Sequence, residues 1–282
     1  ELHEKGIRDE LERYGIDVIS VMDAHFDANL QNMQLQGILI QKPDAVIAIP
    51  TDDKRTADHF RELAAVTKLI FISNLPENIG KNSYVSCVSV NEAENGANAG
   101  RMIGEYFHGK RNIKIGFINH GAVFYGTRER DAAAEKVIDS FPNIEIVSSK
   151  GFGQIENAYQ VCKDMITAHP EIQALYVSWD QPALRVIRAL KELHRADIAV
   201  FTTDLDAEIA YHMEEGIVKG ISTQRFYEQG QAAALVVAKA LVNGSVPKYV
   251  GVQPYVVEPK QLRRAWKEIF HTSMPEELTS IK

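Results

Sequence analysis

The residues that follow one apolar run have the chemistry of a ligand acceptor. The run 198–201 leads into Thr202, Thr203 and Asp204, and a second carboxylate follows at Asp206. A buried parallel strand is a continuous apolar run, and its carboxyl end opens onto the crevice where open α/β folds bind ligands. Asp204 is therefore a candidate ligand contact. The alternative is that Asp204 or Asp206 caps the following helix, which is a common role for aspartate.

No pattern in the sequence supplies a catalytic or metal-binding set. The segment GEYFHGKR has Arg111 where a phosphate-binding loop needs Ser or Thr, and GFGQIE has Glu156 in place of the third glycine of a dinucleotide fingerprint. The nine histidines show no metal-ligand spacing, and Cys87 and Cys162 stand far apart. We therefore expect no enzyme activity, no cofactor and no bound metal.

The composition is that of an ordinary globular protein, and the length is suited to two lobes. The chain has 282 residues, of which 45% are hydrophobic and 24% are charged. A formal net charge of −7 with no lysine-arginine block argues against a nucleic-acid partner. The longest apolar runs are strand-sized, well short of the ~20 residues that span a bilayer. No signal peptide is visible at the start, so we expect that any export signal has been removed or never existed.

Helical patterns and strand-sized apolar runs alternate along the chain. This alternation predicts parallel sheets with helical crossovers, and so a doubly wound α/β fold repeated in two lobes of like topology. The predicted strands are residues 17–22, 44–50, 68–73, 84–90, 113–118, 144–148, 174–178 and 198–202. The first predicted element is a helix over 1–15, whereas a doubly wound lobe normally begins with a central strand. We therefore expect that the first strand is missing from this sequence.

Several segments of the second half resemble one family in their order and spacing. These segments are GTRERDAAAEKVI, ITAHPEIQALYVSWDQPALRVIRAL, VFTTDLD and GISTQRFYEQG, and DAVIAIPTDDK and KLIFISN agree in the first half. They are similar to the type I periplasmic sugar-binding proteins, whose fold is shared with the effector domains of lactose-repressor-type regulators. The resemblance covers nearly the whole chain, from Glu1 to about Leu262.

The resemblance implies two doubly wound lobes joined by three crossing strands, with a ligand held in the cleft between them. Carried over to this chain, the amino-terminal lobe is 1–89 plus 225–253. The carboxyl-terminal lobe is 90–224 plus 254–282. The crossings then fall near Ser89, near Gln224, and near residues 253–255.

Three positions match the ligand contacts of the family directly, namely Arg128, Asp204 and Gln224. Their side chains suit a polyhydroxylated ligand. A carboxylate accepts hydrogen bonds from two neighbouring hydroxyl groups, a guanidinium donates in a fixed fork, and an amide does both. The resemblance thus favours Asp204 as a ligand contact over Asp204 as a helix cap.

Other positions depart from the family and predict a reshaped pocket. Ser73 and Asn74 replace the usual Asp-Arg pair, and Trp179 replaces an asparagine just before Asp180. A tryptophan face can stack on the apolar face of a sugar ring, and the alternative is a core aromatic beneath the cleft. Phe152 lies near the aromatic contact of the family. These five residues complete the predicted site, which we do not expect to select ribose.

The resemblance implies a solute-binding protein that captures a small sugar or polyol and delivers it to the permease of an ABC transporter. Such a protein is periplasmic, or is lipid-anchored outside the cell. The alternative is the effector-binding domain of a lactose-repressor-type transcriptional regulator, which would be cytoplasmic. An enzyme of the doubly wound type would need a catalytic set that the sequence does not contain.

Overall fold

Strands and helices alternate in the computed structural model, which describes residues 1–121 and 125–279. The chain divides into two compact units, and it passes from one to the other three times. The first unit comprises Glu1–Val90 and Arg225–Val252, and the second comprises Asn91–Gln224 and Gln253–Lys282.

The first unit is built on a four-stranded sheet in which every pair of neighbouring strands is parallel. In chain order the strands are β1 (Ala45–Ala48), β2 (Lys68–Ile72), β3 (Ser86–Val90) and β9 (Tyr249–Val252), which is also their order across the sheet. The helices of this unit are α1 (Leu2–Glu12), α2 (Ala28–Gln41), α3 (Ala57–Ala64) and α9 (Phe226–Leu241).

Helices cover both faces of this sheet, because successive strand side chains point to opposite faces. In β2, Ile70 and Ile72 join an apolar cluster with α1 and α9. Leu69 and Phe71 join a second cluster with α2 and α3. Burial on both faces explains why β2 is almost entirely apolar, and it confirms the doubly wound architecture for this unit.

The predicted strand at residues 17–22 is wrong. These residues form no regular secondary structure, and no strand of the described residues pairs with them. Val18 packs against the cluster of α1 and α9, but Ile19, Val21 and Met22 are exposed. The apolar pattern is suited to a strand, but a strand also needs a neighbour to satisfy its backbone hydrogen bonds.

The second unit is built on a six-stranded sheet. In chain order its strands are β4 (Ile113–Asn119), β5 (Ile144–Gly151), β6 (Ala174–Val177), β7 (Ala199–Thr203), β8 (Val218–Thr223) and β10 (Tyr255–Val257). Their order across the sheet is β10-β8-β7-β6-β4-β5. Only β10 runs antiparallel to its neighbour. The helices are α4 (Glu92–Tyr106), α5 (Tyr125–Ile138), α6 (Asn157–Ala168), α7 (Asp180–Glu192), α8 (Ala207–Glu214), α10 (Leu262–Phe270) and α11 (Glu276–Thr279).

Two apolar layers also sandwich this second sheet. Phe117, Tyr176 and Phe201 face α4 and α5 on one side. Val177 and Val200 face α6, α7, α8 and α10 on the other. The parallel strands β4, β6, β7 and β8 are neighbours, so their carboxyl ends lie along one edge of the sheet. This edge carries the residues described below.

Two of the helices that cover this sheet approach each other closely. A Cβ at Gly96 of α4 would lie 1.8 Å from the carbonyl oxygen of Arg130 in α5. A glycine at this position lets the two backbones touch, which brings the first turn of α4 beside the first half of α5. Within the described part of the chain, no helix is long and apolar enough to cross a membrane.

Candidate ligand-binding site

Asp204 follows β7 directly, and its backbone is in the left-handed conformation with a φ of 63°. Its N–H donates to the carbonyl oxygen of Ser222 in β8 at 2.9 Å. A non-glycine residue in this region costs conformational energy, and such residues cluster at functional sites. The strained backbone and the bond to β8 together fix the point from which the Asp204 side chain leaves the edge of the sheet.

The carboxylate of Asp204 is held by a partner on each oxygen. Gln224 donates from Nε2 to Oδ1 at 3.1 Å, and Nη1 of Arg130 lies 3.5 Å from Oδ2. The side chain is 17% exposed. A carboxylate offers about four acceptor positions, so two such contacts leave it able to accept from ligand hydroxyl groups.

The helix-capping role that the sequence also allowed belongs to Asp206. This residue is the N-cap of α8, and its Oδ1 accepts from the N–H of Ile209 at 2.7 Å. Its Oδ2 accepts from Nε2 of Gln181 at 3.3 Å. Because Asp206 caps the helix, Asp204 is not needed for that purpose.

Arg130 is a buried cation that the sequence prediction missed. Its side chain is 5% exposed, and it forms a bidentate ion pair with Glu92, from Nε at 2.8 Å and from Nη2 at 3.0 Å. Nη1 donates to the carbonyl oxygen of Ser178 at 3.2 Å and to Oγ1 of Thr203 at 2.9 Å. Its position in the sequence could have indicated that it is buried. Arg130, Ala134 and Ile138 are spaced four residues apart, so Arg130 shares one face of α5 with two buried apolar residues.

Arg128, the arginine that the sequence prediction named, lies elsewhere on α5. Its side chain is 59% exposed, and Nη2 is 3.9 Å from a carboxylate oxygen of Glu129. Positions two residues apart on a helix point in different directions, which explains why Arg130 is buried while Arg128 is open to solvent. The structure therefore brings Asp204 and Gln224 together, with Arg130 rather than Arg128 beside them.

A cavity of about 250 Å³ lies next to Arg128 in the second unit. It is lined at the end of β4 by Asn119 and His120 and on α5 by Thr127, Arg128 and Asp131. Its volume is close to the lower end of the roughly 300 to 1,000 Å³ typical of small-molecule pockets. Most of the described residues that line it have polar side chains, among them Asn119, Arg128 and Glu135.

Asp131 is a buried carboxylate behind this cavity. Tyr176 and Ser178 donate hydroxyl hydrogen bonds to its Oδ1 at 2.8 and 2.6 Å, and the N–H of His120 donates to Oδ2 at 3.3 Å. Burial raises the pKa of Asp131, and these hydrogen bonds oppose that shift. The carboxylate thus links the ends of β4 and β6 to α5.

Three aromatic side chains lie together at the edge of the second sheet. The ring of His120 stacks on Phe152 with centroids 5.3 Å apart, and Trp179 meets His120 edge-on at 4.8 Å and Phe152 at 5.1 Å. Phe152 is 3% exposed and Trp179 is half-buried. Nδ1 of His120 is 3.2 Å from Oγ1 of Thr127, and burial lowers the pKa of the imidazole. The sequence prediction named Phe152 and Trp179 and missed His120.

Asp180 begins α7, directly after Trp179. Its Oδ1 accepts from the N–H of Gln181 at 2.7 Å. Burial raises the pKa of Asp180 to about 7, and the nearby carboxylates of Asp204 and Asp206 act in the same direction. This carboxyl group therefore changes its charge near neutral pH.

Ser73 and Asn74, the two remaining predicted residues, belong to the first unit. Ser73 follows β2 with a φ of 68°, and its N–H donates to the carbonyl oxygen of Val88 in β3 at 2.9 Å. Asn74 is exposed. Ser73 thus has the same backbone arrangement in its own sheet that Asp204 has in the second. Within the described residues, no group of three or more His, Cys, Asp or Glu side chains is placed to hold a metal ion.

The model of the periplasmic binding protein domain family matches residues 2–245. The chain belongs to this family. It is 24% identical over 202 residues to the ribose import binding protein RbsB of Bacillus subtilis (strain 168), a match that covers 71% of this chain. That stretch is 63% of the length of the Bacillus protein, so the match spans less than two thirds of this curated relative.

Solved structures resemble the chain over most of its length. AraP, an arabinose binding protein from Geobacillus stearothermophilus, matches with a TM-score of 0.84 at 14% identity and covers 93% of each chain. A carbohydrate transporter solute binding protein from Agrobacterium radiobacter, in complex with D-arabinose, matches with a TM-score of 0.73 at 20% identity. That match covers 91% of this chain and 88% of the other. At these identities, the two structures establish the fold.

Proposed function

We propose that the chain is a solute-binding protein that captures a small sugar or polyol and delivers it to the permease of an ABC transporter. The observation that carries this proposal is the geometry of Asp204. Its backbone is in the left-handed conformation, and its carboxylate has a partner on each oxygen. The side chain is still 17% exposed at the edge of a parallel sheet. A fixed acceptor of this kind is suited to the neighbouring hydroxyl groups of a sugar.

The surroundings of Asp204 support a polar ligand with one apolar face. Gln224 offers an amide beside the carboxylate. Trp179 directly precedes α7, which begins at Asp180, and its half-buried indole is able to stack on a sugar ring. Ser73, Asn74 and Arg128 remain proposed ligand contacts. Because Phe152 is almost fully buried, its proposed part is to support Trp179 from behind.

The names of the relatives favour transport over regulation. The Bacillus relative is named for ribose import, and the Agrobacterium structure is a solute binding protein with a bound pentose. By analogy we propose a periplasmic location, or a lipid-anchored one outside the cell, with a membrane permease as the protein partner. The family resemblance places Ser73 and Asn74 where such proteins usually have an Asp-Arg pair, so we propose a sugar or polyol other than ribose as the ligand.

A ligand panel tests this function. The purified protein is titrated with pentoses, hexoses and polyols at up to millimolar concentration, with tryptophan fluorescence and isothermal titration calorimetry as readouts. Both tryptophans, Trp179 and Trp266, lie in the second unit, so their fluorescence reports on that unit. We expect at least one sugar or polyol to bind, and no binding by any member of the panel contradicts the proposal.

The variant Asp204→Asn examines the site itself. Loss of the charge on the acceptor is expected to lower the affinity for the sugar by about 10- to 150-fold. This range corresponds to about 1.5 to 3 kcal/mol for hydrogen bonds to a charged group. The control is Asp197→Asn, which removes an exposed carboxylate from the same unit. Equal affinity of the Asp204→Asn variant and the wild type would show that the ligand binds elsewhere.

A further inference from the structure

Arg130 directs its guanidinium at acceptors of the protein itself. Its guanidinium is directed at Glu92 through Nε and Nη2, while Nη1 faces Ser178, Thr203 and Asp204. The five N–H groups of an arginine form a rigid fork, and here the fork is surrounded by protein acceptors on both sides. A side chain that is 5% exposed and engaged in this way acts through its neighbours.

The contacts of Arg130 converge on the ends of two strands of the second sheet. Thr203 is the last residue of β7, and its hydroxyl group accepts from Arg130 and donates to the carbonyl oxygen of Ser178 at 2.8 Å. Asp204 comes next in the chain and places Oδ2 beside the same guanidinium nitrogen. The same Ser178 carbonyl accepts from Arg130, just before Trp179. One buried cation therefore touches the supports of both Asp204 and Trp179.

Glu92 fixes the guanidinium from the opposite side. It lies in the first turn of α4 and is 14% exposed, and it accepts from Arg130 at both carboxylate oxygens. The close approach at Gly96, one turn later, keeps α4 against α5 at this point. The bidentate pair sets the plane of the guanidinium, because the two parallel hydrogen bonds allow only one orientation.

We infer that Arg130 is the positioning residue of the site, held by Glu92, and that it orients the Asp204 carboxylate so that this acceptor is presented to the ligand. The inference rests on the proposed function, because Asp204 needs an oriented carboxylate only if it accepts hydrogen bonds from a ligand. Lysine cannot replace Arg130 in this role. An ammonium group has three donors and no fork, so it cannot span Glu92, Thr203 and Asp204 together.

The test uses a local signal in the protein without ligand. Nε2 of Gln224 donates to Oδ1 of Asp204, so the side-chain amide resonances of Gln224 in a nitrogen-proton NMR spectrum report the orientation of that carboxylate. The variants are Arg130→Lys and Glu92→Gln, and the matched control is Arg188→Lys, an arginine of α7 that is 71% exposed and paired with Glu192. Sugar affinity is then measured by calorimetry, and circular dichroism verifies that each variant is folded.

We expect Arg130→Lys to shift the Gln224 amide resonances and to weaken sugar binding by about tenfold or more, since it disturbs a hydrogen-bond acceptor that carries charge. Glu92→Gln should shift the same resonances and weaken binding by about threefold or more. It serves as the test if Arg130→Lys does not fold. The Arg188→Lys control should leave both measurements unchanged.

Two results overturn the inference. One is a folded Arg130→Lys or Glu92→Gln variant with the Gln224 resonances and the sugar affinity of the wild type. The other is a shift of the resonances with no change in affinity, because the orientation of Asp204 would then not matter to the ligand. If the wild type binds no sugar, the proposed function fails. The resonances still show whether Arg130 orients Asp204.

Discussion

Asp180 should make the stability of the second unit depend on pH, and the substitution Asp180→Asn should remove this dependence. Burial and the carboxylates of Asp204 and Asp206 raise the pKa of Asp180 from 3.8 to about 7. A carboxyl group whose pKa is higher in the folded state than in the unfolded state binds its proton more tightly when folded. The stability that this proton confers is fully present below about pH 4 and is lost as the pH rises to about 7 and above.

The magnitude follows from the difference between the two pKa values. A difference of about three corresponds to about 4 kcal/mol, because each pKa unit is worth about 1.36 kcal/mol. Some solvent reaches this side chain and screens its charge, so we expect about 2 to 4 kcal/mol in practice. Asp180→Asn keeps an oxygen to accept from the N–H of Gln181, carries no charge at any pH, and is therefore a close mimic of the protonated acid.

Urea unfolding, followed by tryptophan fluorescence at pH values from 4 to 8, measures this effect. Since both tryptophans belong to the second unit, the transition reports the unit that contains Asp180. At pH 8, Asp180→Asn should be more stable than the wild type by about 2 to 4 kcal/mol, and at pH 4 the two should agree within about 0.5 kcal/mol. The control is Asp139→Asn, which changes an exposed carboxylate of the same unit and should leave the pH dependence of stability unchanged. A constant difference between Asp180→Asn and the wild type across this pH range would show that Asp180 does not have a raised pKa.

Substitutions at Asp206 and Gly96 test the supports of the site by the same urea assay. Asp206→Ala removes the N-cap of α8 and should lower the free energy of unfolding by about 1 kcal/mol. Asp206→Asn keeps a capping oxygen and should lower that free energy much less. Equal losses for the two variants would contradict the capping role. Gly96→Ala places a Cβ 1.8 Å from a carbonyl oxygen and should cost about 1 to 3 kcal/mol. The control for Gly96→Ala is Gly37→Ala in α2, where nothing lies within 4 Å of the added carbon. Gly37→Ala should raise the thermal unfolding temperature measured by circular dichroism. A rise for Gly96→Ala in the same measurement would contradict the close contact between α4 and α5.

The doubly wound fold could be predicted because its strands are buried on both faces. The predicted strands 68–73 and 198–202 contain the uninterrupted apolar stretches 69–72 and 198–201 and lie between segments with helical spacing. Both predictions are confirmed. The same reasoning failed at residues 17–22. An apolar pattern records which side chains are suited to a strand, but pairing depends on a neighbouring strand that the pattern does not reveal.

The site could be predicted only in part, because some of its residues act through contacts between distant elements. Asp204 was predictable from its place after an apolar run, since strand ends of one sheet share an edge. The helical spacing of Arg130 could indicate that it is buried, but it could not indicate its partner. Glu92 is 38 residues away in the chain and lies on another helix. His120 was equally hidden, since its stacking on Phe152 joins the ends of two neighbouring strands.

A crystal structure of the protein grown with the sugar or polyol that binds best in the panel tests the role of Asp204 directly. We expect hydroxyl groups of this ligand to donate to the Asp204 carboxylate at about 2.5 to 3.0 Å, with Arg130 still paired to Glu92 behind it. A ligand that is bound without any contact to Asp204 would show that Asp204 is not the acceptor.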